Sequence, residues 1–176
     1  FNAVRCSHYT NNPAFYEYAS LFGIYVMDEA DIETHGCEVT GDQGYLSKKP
    51  EWFPAYLDRV VRMCEGQKNE PCVFLWSIGN ECGRGENLVR CAEYIRIFDP
   101  SREVMQVQDD PFHPEFIHFR KTGYWSRAQI EEQKPEGYPV IMAEYAHSMG
   151  NSPGYLQGYW DYVYAHEQMA GGFIWE

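Results

Sequence analysis

The feature that most constrains the fold is the alternation of short apolar runs with helical patterns along the 176 residues. Six runs stand out: Ala3–Val4, Ile24–Met27, Cys72–Ile78, Val104–Val107, Val140–Ala143 and Gly172–Trp175. A seventh and weaker run is predicted at Phe116–Phe119, or in a stretch that ends near Tyr124. This alternation predicts βαβ units with a parallel sheet, and the nearly continuous apolar runs indicate strands that are buried on both faces.

The helical patterns lie between these runs. The first has Asn12 as its cap, Pro13 at its first position and Gly23 just after its end, which are typical helix boundary signals. Its inward face is predicted to contain Phe15, Tyr18, Ala19 and Phe22. Three further helices are predicted from about Glu51 to Cys64, from about Glu86 to Phe98, and after Pro153.

The placement of ionisable residues favours a barrel over an open sheet. These residues follow the predicted strands: Arg5, His8, Asp28, Glu29, Glu33, His35, Glu81, Glu144 and His147. A (β/α)8 TIM barrel carries its chemistry at these C-terminal strand ends. The sequence also lacks a glycine-rich phosphate loop after any run, which disfavours a nucleotide-binding sheet. We therefore predict an α/β fold, a TIM barrel that is incomplete because one of its eight strands is missing.

The ends of the sequence predict a domain arrangement. The chain begins at Phe1 without a methionine, inside an apolar run, and stops at Glu176 directly after another. We predict that residues 1–176 are a partial catalytic barrel domain of a longer multidomain enzyme.

Charge and cysteine content exclude several classes of protein. The net charge of −12 disfavours nucleic acid and membrane surfaces as partners. The sequence contains no apolar stretch of about 20 residues, and we expect neither a membrane span nor a signal peptide. The six cysteines form no CxxC pair, so free thiols and a cytoplasmic location are predicted.

Two strand predictions end in a glutamate among small or polar residues. The segment FLWSIGNECG contains Glu81, and PVIMAEYAHSMGN contains Glu144. One desolvated carboxylic acid and one ionised carboxylate that face the same sugar ring form the catalytic pair of a glycosidase. A separation of about 5–5.5 Å predicts retention of configuration, and about 6.5–9.5 Å predicts inversion. For each glutamate taken alone, a structural ion pair is the alternative.

The segment DEADIETHG places Glu33 and His35 two residues apart, on one side of an extended chain. A carboxylate and an imidazole there could bind Mg²⁺ or Mn²⁺, because hard cations prefer oxygen ligands. A hydrogen-bonded structural pair remains the alternative. Arg5 could keep a nucleophilic carboxylate ionised.

Five segments carry a resemblance to a known family: FNAVRCSHYTNNP, YVMDEADIETHG, FLWSIGNECG, VIMAEYAHSMGNS and GGFIWE. They resemble, in the same order, the barrel domain of LacZ-type β-galactosidases of glycoside hydrolase family 2. The resemblance is weak between Glu103 and Pro139. The motifs DEADIETHG and EYAHSMGN favour β-galactosidase over β-glucuronidase and β-mannosidase. The resemblance implies that the chain holds barrel strands two to eight.

The resemblance also implies roles for the matching residues. Glu81 matches the general acid/base and Glu144 the nucleophile of a retaining enzyme that cleaves terminal β-D-galactosides such as lactose. The ligands of a Mg²⁺ ion, with Mn²⁺ as a substitute, are matched by Glu33, His35 and Glu81. Substrate contacts are matched by Asn80, which bonds the sugar 2-hydroxyl, and by His8, His147, Trp175, Tyr124 and Arg5. For the full-length enzyme the resemblance further implies Na⁺ binding and a homo-oligomer.

The sequence departs from the family pattern near the tyrosine that bonds the nucleophile. That region reads TGYWSRAQ, from which Tyr124 is chosen. Two alternatives to the galactosidase stay open: a carbohydrate-binding fragment without catalytic activity, and a related specificity such as β-glucuronidase.

Overall fold

The computed structural model describes residues 1–105, 120–122, 128–130, 139–150 and 154–175. The chain divides into two compact units, Phe1–His118 and Phe119–Glu176. The described residues contain seven β-strands, as the sequence predicts. All strand pairs within each unit are parallel, which agrees with the predicted βαβ organisation.

The first unit contains a four-stranded sheet in the order β1-β2-β3-β4. Its strands are β1 (Ala3–Arg5), β2 (Tyr25–Glu29), β3 (Val73–Ser77) and β4 (Glu103–Met105). The connecting helices are α1 (Pro13–Phe22), α2 (Phe53–Gln67) and α3 (Glu86–Phe98). Two short 3-10 helices, His35–Thr40 and Pro50–Trp52, lie between β2 and α2. Because all four strands are parallel, their C-terminal ends lie at the same edge of the sheet.

Helix α1 begins and ends as predicted, but its buried face differs. The side chain of Asn12 accepts a hydrogen bond from the Ala14 amide, and Gly23 ends the helix in the left-handed conformation. The inward face is centred on Tyr16 and Ala19, so the prediction that Tyr18 faces inward was wrong. Phe22, also predicted to face inward, is 73% exposed. The reason is a polar contact, because the Tyr16 hydroxyl donates to the buried Asp28 Oδ1 at 2.7 Å.

The core of the first unit joins one face of the sheet to the helices. Val26 and Trp76 of the central strands pack in one cluster with buried side chains of α1, α2 and α3. Met27 and Leu75, which alternate with them and point to the other face, are fully buried as well. Helix α2 starts two residues later than predicted, because Pro50–Trp52 forms a 3-10 turn before it.

The second unit contains a three-stranded sheet in the order β5-β6-β7. Its elements are β5 (Arg120–Thr122), β6 (Val140–Tyr145), α4 (Leu156–Ala165) and β7 (Met169–Ile174). All six residues of β6 are buried, and β6 is paired on both sides. Trp160 of α4 donates from Nε1 to the Tyr145 hydroxyl at 2.9 Å, which ties the helix to the central strand.

Two further findings bear on the class of protein. Among the helices of the described ranges, none has both the length and the apolar character needed to span a bilayer. All six cysteines are free thiols, and five of them are buried.

Candidate active site

The C-terminal ends of three strands in the first unit meet around the buried carboxylate of Glu29. Arg5, the last residue of β1, donates from Nε to Glu29 Oε2 at 2.8 Å and from Nη2 to Oε1 at 3.0 Å. His8 Nδ1 lies 2.8 Å from Glu29 Oε1, and Ser77 Oγ donates to Oε2 at 2.7 Å. The side chains of Arg5 and Glu29 are 3% and 0% exposed. We call these four residues, together with Asn80, the Glu29 network.

The network keeps Glu29 ionised inside the protein. Burial raises the pKa of Glu29, but the hydrogen bond from His8 and the charge of Arg5 outweigh that effect, so the pKa is lowered overall. Because an ionised carboxylate can only accept hydrogen bonds, His8 carries a hydrogen on Nδ1. Glu29 thus fixes the position of the Arg5 guanidinium and the tautomer of the His8 imidazole.

Asn80 connects this network to the next acidic residue. Arg5 Nη2 donates to Asn80 Oδ1 at 3.0 Å, and Asn80 Nδ2 donates to Glu33 Oε2 at 2.8 Å. The orientation of the amide follows from its partners, since a guanidinium only donates and a carboxylate only accepts. The buried Asn80 side chain therefore has one assigned orientation.

Glu33 reaches Asn80 because the chain after β2 runs beside the chain after β3. The backbone amide of Asn80 donates to Ile32 O at 2.8 Å, and Glu33 and Asn80 form an isolated parallel bridge. Gly79 permits this close approach. Its φ is +132°, and a Cβ atom at this position would lie 2.5 Å from Ile32 O, so a glycine is required here.

Glu81 completes a cluster with Glu33 and His35. His35 Nδ1 lies 2.5 Å from Glu81 Oε2. The negative charge of Glu81 raises the pKa of His35, and Glu38, 3.4 Å from His35 Nε2, adds to this effect. One potential ligand atom from each of the three residues lies within 4.8 Å of the others. We call these residues the Glu33–His35–Glu81 cluster.

The backbone of Glu81 is in an unusual conformation. Its φ is 43°, in the left-handed region, where a residue with a side chain costs about 1–3 kcal/mol. Contacts on both sides hold it there: the bridge at Asn80 precedes it, and the backbone of Gly83 packs on the backbone of Gly44 after it. The loop that carries Glu81 is therefore fixed by backbone contacts.

The cluster fits a hard divalent cation. Two carboxylates and one imidazole can each place a ligand atom in a small space, and Mg²⁺ and Mn²⁺ accept such donors together with water. These are the three residues that the sequence analysis assigned to the metal.

In the second unit, backbone hydrogen bonds bring together the segments that carry Glu144, His147 and Trp175. Glu144 lies in β6 and is 5% exposed. The Trp175 amide donates to Tyr145 O at 3.0 Å. Ser148 donates to Trp175 O from its amide at 2.7 Å and from Oγ at 2.9 Å. The end of β7 is thus held beside the loop that follows Glu144.

The predicted site residues therefore form two groups, one in each unit. The first unit holds Arg5, His8, Glu33, His35, Asn80 and Glu81. The second holds Glu144, His147 and Trp175. Tyr124 lies outside the described residues, and the separation of Glu81 and Glu144 stays a prediction.

Sequence reasoning did not assign roles to Glu29 and Ser77. Two adjacent acids, Asp28 and Glu29, end an apolar strand beside another strand that ends in Arg5. That pattern signals that an acid inside the fold needs a cation. It does not say which acid faces the arginine, because neighbouring residues of a strand point to opposite faces.

The chain matches a known protein family over its whole length. The family described as glycosyl hydrolases family 2, TIM barrel domain, matches residues 1–176. The chain is 39% identical over 193 residues to a β-galactosidase of Pectobacterium atrosepticum and 38% identical over 189 residues to one of Yersinia pseudotuberculosis. All of this chain is covered in both cases, and it spans 18% and 17% of the length of these relatives.

Solved structures share the fold at lower identity. A β-D-glucuronidase from Dictyoglomus thermophilum matches with a TM-score of 0.76 at 18% identity, over 99% of this chain and 38% of that one. A β-galacturonidase of family 2 from Eisenbergiella tayi, bound to galacturonate, matches with a TM-score of 0.71 at 18% identity, over 99% and 37%. The predicted barrel class is confirmed: the chain belongs to glycosyl hydrolase family 2, and its fold is that of the family's TIM-barrel domain.

Proposed function

We propose that the full-length protein is a retaining β-galactosidase that cleaves terminal β-D-galactosides such as lactose. The observation that carries this proposal is the position of Glu81, next to the oriented amide of Asn80 and within the Glu33–His35–Glu81 cluster. Identity of 38–39% to β-galactosidases supports galactose as the sugar.

In the first step, Glu144 attacks the anomeric carbon of the galactoside. A bond forms between a Glu144 oxygen and C1, the bond from C1 to the leaving oxygen breaks, and Glu81 gives its proton to that oxygen. The product is a galactosyl ester on Glu144. In the second step, Glu81 takes a proton from water while the water oxygen bonds to C1 and the ester bond breaks. Two inversions release galactose with its original configuration.

The other site residues bind and orient the sugar. Asn80 has a second Nδ2 hydrogen besides the one given to Glu33, and we assign it to the 2-hydroxyl of galactose. We assign His8 and His147 to hydrogen bonds with the sugar, Tyr124 to a hydrogen bond with the nucleophile, and Trp175 to the apolar floor of the sugar site. Arg5 belongs to the same site through Asn80.

A magnesium ion would be held by Glu33, His35 and Glu81, and Mn²⁺ would suit the same donors. When bound, it would supply positive charge that orients Glu81 and adjusts its acidity. Sodium binding and a homo-oligomeric state of the full-length enzyme stay predictions. The free thiols support our proposal of a cytoplasmic location.

The decisive experiment replaces Glu81 by Gln in the full-length protein and compares two substrates. Cleavage of lactose should fall by about 10²–10⁴-fold, since general acid catalysis contributes that much. An activated dinitrophenyl galactoside should form the galactosyl ester almost normally, because its leaving group needs no proton. Added azide should then accelerate turnover and yield β-galactosyl azide.

Glu38→Gln is the matched control, since Glu38 also contacts His35 but lies outside the cluster. It should leave lactose cleavage near the wild-type rate. Full activity of Glu81→Gln on lactose would remove the acid/base role. If the wild type cleaves a glucuronide in preference to the galactoside, the protein is a β-glucuronidase instead. If the wild type hydrolyses neither substrate, a carbohydrate-binding protein is favoured.

A further inference from the structure

We propose that Glu29 is a positioning residue, a buried carboxylate that does not touch the sugar but fixes the side chains of His8 and Asn80, which do. This inference rests on the proposed function, because it assigns those two side chains to the sugar. It adds to the site a residue that no sequence motif singled out.

Glu29 has no capacity left to bind substrate itself. Oε1 accepts from Arg5 Nη2 and His8 Nδ1, and Oε2 accepts from Arg5 Nε and Ser77 Oγ. A carboxylate offers about four lone-pair positions, and these four contacts use them. Its side chain is fully buried, so any influence on the sugar passes through its neighbours.

One route runs through His8. The carboxylate fixes the Nδ1 hydrogen and the plane of the ring, so Nε2 is the atom presented to a ligand. A group that fixes an imidazole through its other nitrogen sets both its direction and its basicity. The His8 side chain is 23% exposed, whereas that of Glu29 is not exposed at all. The ring therefore lies between the buried carboxylate and solvent.

The second route runs through Arg5 to Asn80. The same Nη2 atom of Arg5 lies 3.0 Å from Glu29 Oε1 and 3.0 Å from Asn80 Oδ1. Glu29 holds the guanidinium, the guanidinium holds the amide oxygen, and the amide nitrogen is then directed to Glu33 and the sugar. Loss of the Glu29 charge frees the arginine, and the amide loses the donor that sets its orientation.

A second carboxylate–arginine pair in the same unit provides a matched control. Asp99 Oδ2 accepts from Arg102 Nη1 at 2.6 Å and from Trp76 Nε1 at 3.0 Å. Asp99 follows the last residue of α3, about 20 Å along that helix from its start near the Glu81 loop. Asp99→Asn therefore removes a similar charge pair without touching the Glu29 network.

The test uses the full-length protein with Glu29→Gln and Asp99→Asn, and two substrates: a nitrophenyl β-galactoside and its 2-deoxy analogue. Wild type should prefer the parent substrate because the 2-hydroxyl bond strengthens in the transition state. Glu29→Gln should lower kcat/KM for the parent by about 10–100-fold, as partners of active-site groups usually do. The loss of kcat/KM on the 2-deoxy analogue should be smaller by about 10-fold, because this substrate lacks the 2-hydroxyl to which Asn80 donates its hydrogen bond.

Asp99→Asn should leave the ratio of the two substrates unchanged. Equal losses on both substrates in Glu29→Gln would show that Glu29 does not act through Asn80 and would overturn the proposal. If Glu29→Gln does not fold, Glu29→Asp keeps the charge, withdraws the oxygens by one methylene, and is judged by the same ratio.

A crystal structure of the variant separates this proposal from the proposed function. His8 and Asn80 should change orientation in Glu29→Gln and not in Asp99→Asn, whether or not the protein cleaves galactosides. Unchanged positions of both side chains would reject the positioning role even if the enzyme is a β-galactosidase. If wild type cleaves another glycoside instead, the ratio is measured with that sugar and its 2-deoxy form.

Discussion

Glu81 and Glu144 are held by two different kinds of structure. Glu81 lies four residues beyond β3 in a loop, has a left-handed backbone, and its side chain is one-third exposed. Glu144 lies within β6, a strand that is buried along its whole length and paired on both sides. In the proposed reaction the acid/base exchanges protons with a leaving group and with water, which requires access. The nucleophile requires a fixed position, and a central strand provides it.

The largest effect is expected from replacing Glu144, the glutamate in strand β6. Glu144→Gln in the full-length protein should lower galactoside cleavage on the order of 10⁴-fold or more, because no other group can form the ester. Azide added to Glu144→Ala should give α-galactosyl azide, the opposite configuration from that expected with Glu81→Gln. Product analysis by NMR measures the difference. The same configuration from both variants would contradict the assignment of roles.

The loop that carries Glu81 depends on the close approach of Gly79 to Ile32. Gly79→Ala places a Cβ atom 2.5 Å from Ile32 O at a positive φ, so it should destabilise the unit by about 2–4 kcal/mol. It should also displace Glu33 from Asn80. Urea denaturation and Mg²⁺-dependent activity of the full-length protein measure both effects.

Gly66→Ala is the matched control for Gly79→Ala. Gly66 is in α2, and a Cβ atom there meets nothing within 4 Å. It should be neutral or stabilise by about 0.4–1 kcal/mol. Equal effects of the two alanines would show that the loop does not depend on the close approach.

Asp28 shows what burial on a strand does to a carboxylic acid without a cation beside it. Burial raises the pKa of Asp28 to about 6, although the hydrogen bond from Tyr16 lowers it. Because this folded-state pKa exceeds the unfolded value, the stabilising effect of protonated Asp28 is complete below about pH 4 and is lost as the pH rises through 6.

The free energy of unfolding of Asp28→Asn, relative to that of the wild type, should therefore increase by about 2–3 kcal/mol between pH 4 and pH 7. Hydrogen exchange of the β2 amides in both proteins at each pH measures this change. The exposed Asp58→Asn should show no such gain. A difference between Asp28→Asn and wild type that does not vary with pH would contradict the expected titration.

The smallest expected effect concerns the Mg²⁺ ion that we propose at the Glu33–His35–Glu81 cluster. Chelation should lower the activity of the full-length protein, and Mg²⁺ should restore it. Glu33→Gln should raise the Mg²⁺ concentration needed by about 10–100-fold, as measured by titration of activity. Glu38→Gln should leave the requirement unchanged, and no response of wild type to chelation would remove the metal from the site.

Features set by neighbouring residues could be predicted from the sequence. Asn12, Pro13 and Gly23 form or end α1 through contacts within the helix itself, so their signals were reliable. Six of the seven strands followed from apolar runs for the same reason. The seventh, Arg120–Thr122, falls in the predicted stretch that ends near Tyr124, and the alternative at Phe116–Phe119 lies outside the described residues. The predicted grouping of Glu33, His35 and Glu81 is also found in the structure, although only the resemblance to a family linked residues so far apart.

Features set by distant contacts could not be predicted. Tyr16 replaces Tyr18 on the buried face of α1 because a buried carboxylate on β2 needs a donor. Glu29 rather than Asp28 pairs with Arg5 because of the side to which each strand residue points. The bridge at Asn80 that assembles the Glu33–His35–Glu81 cluster depends on two loops approaching each other, and no local pattern encodes that approach.

The hydrogen bonds at both ends of the Asn80 side chain limit which residue can precede Glu81. An aspartate has nearly the same shape as asparagine, yet Asn80→Asp would turn a second negative oxygen toward Glu33, across a gap that is now 2.8 Å. Of these two side chains of similar shape, only the amide of asparagine accepts a hydrogen bond at one end and donates one at the other. The hydrogen bonds from Arg5 through Asn80 to Glu33 therefore run in one direction, and reversing one of them would set like charges against each other beside Glu81.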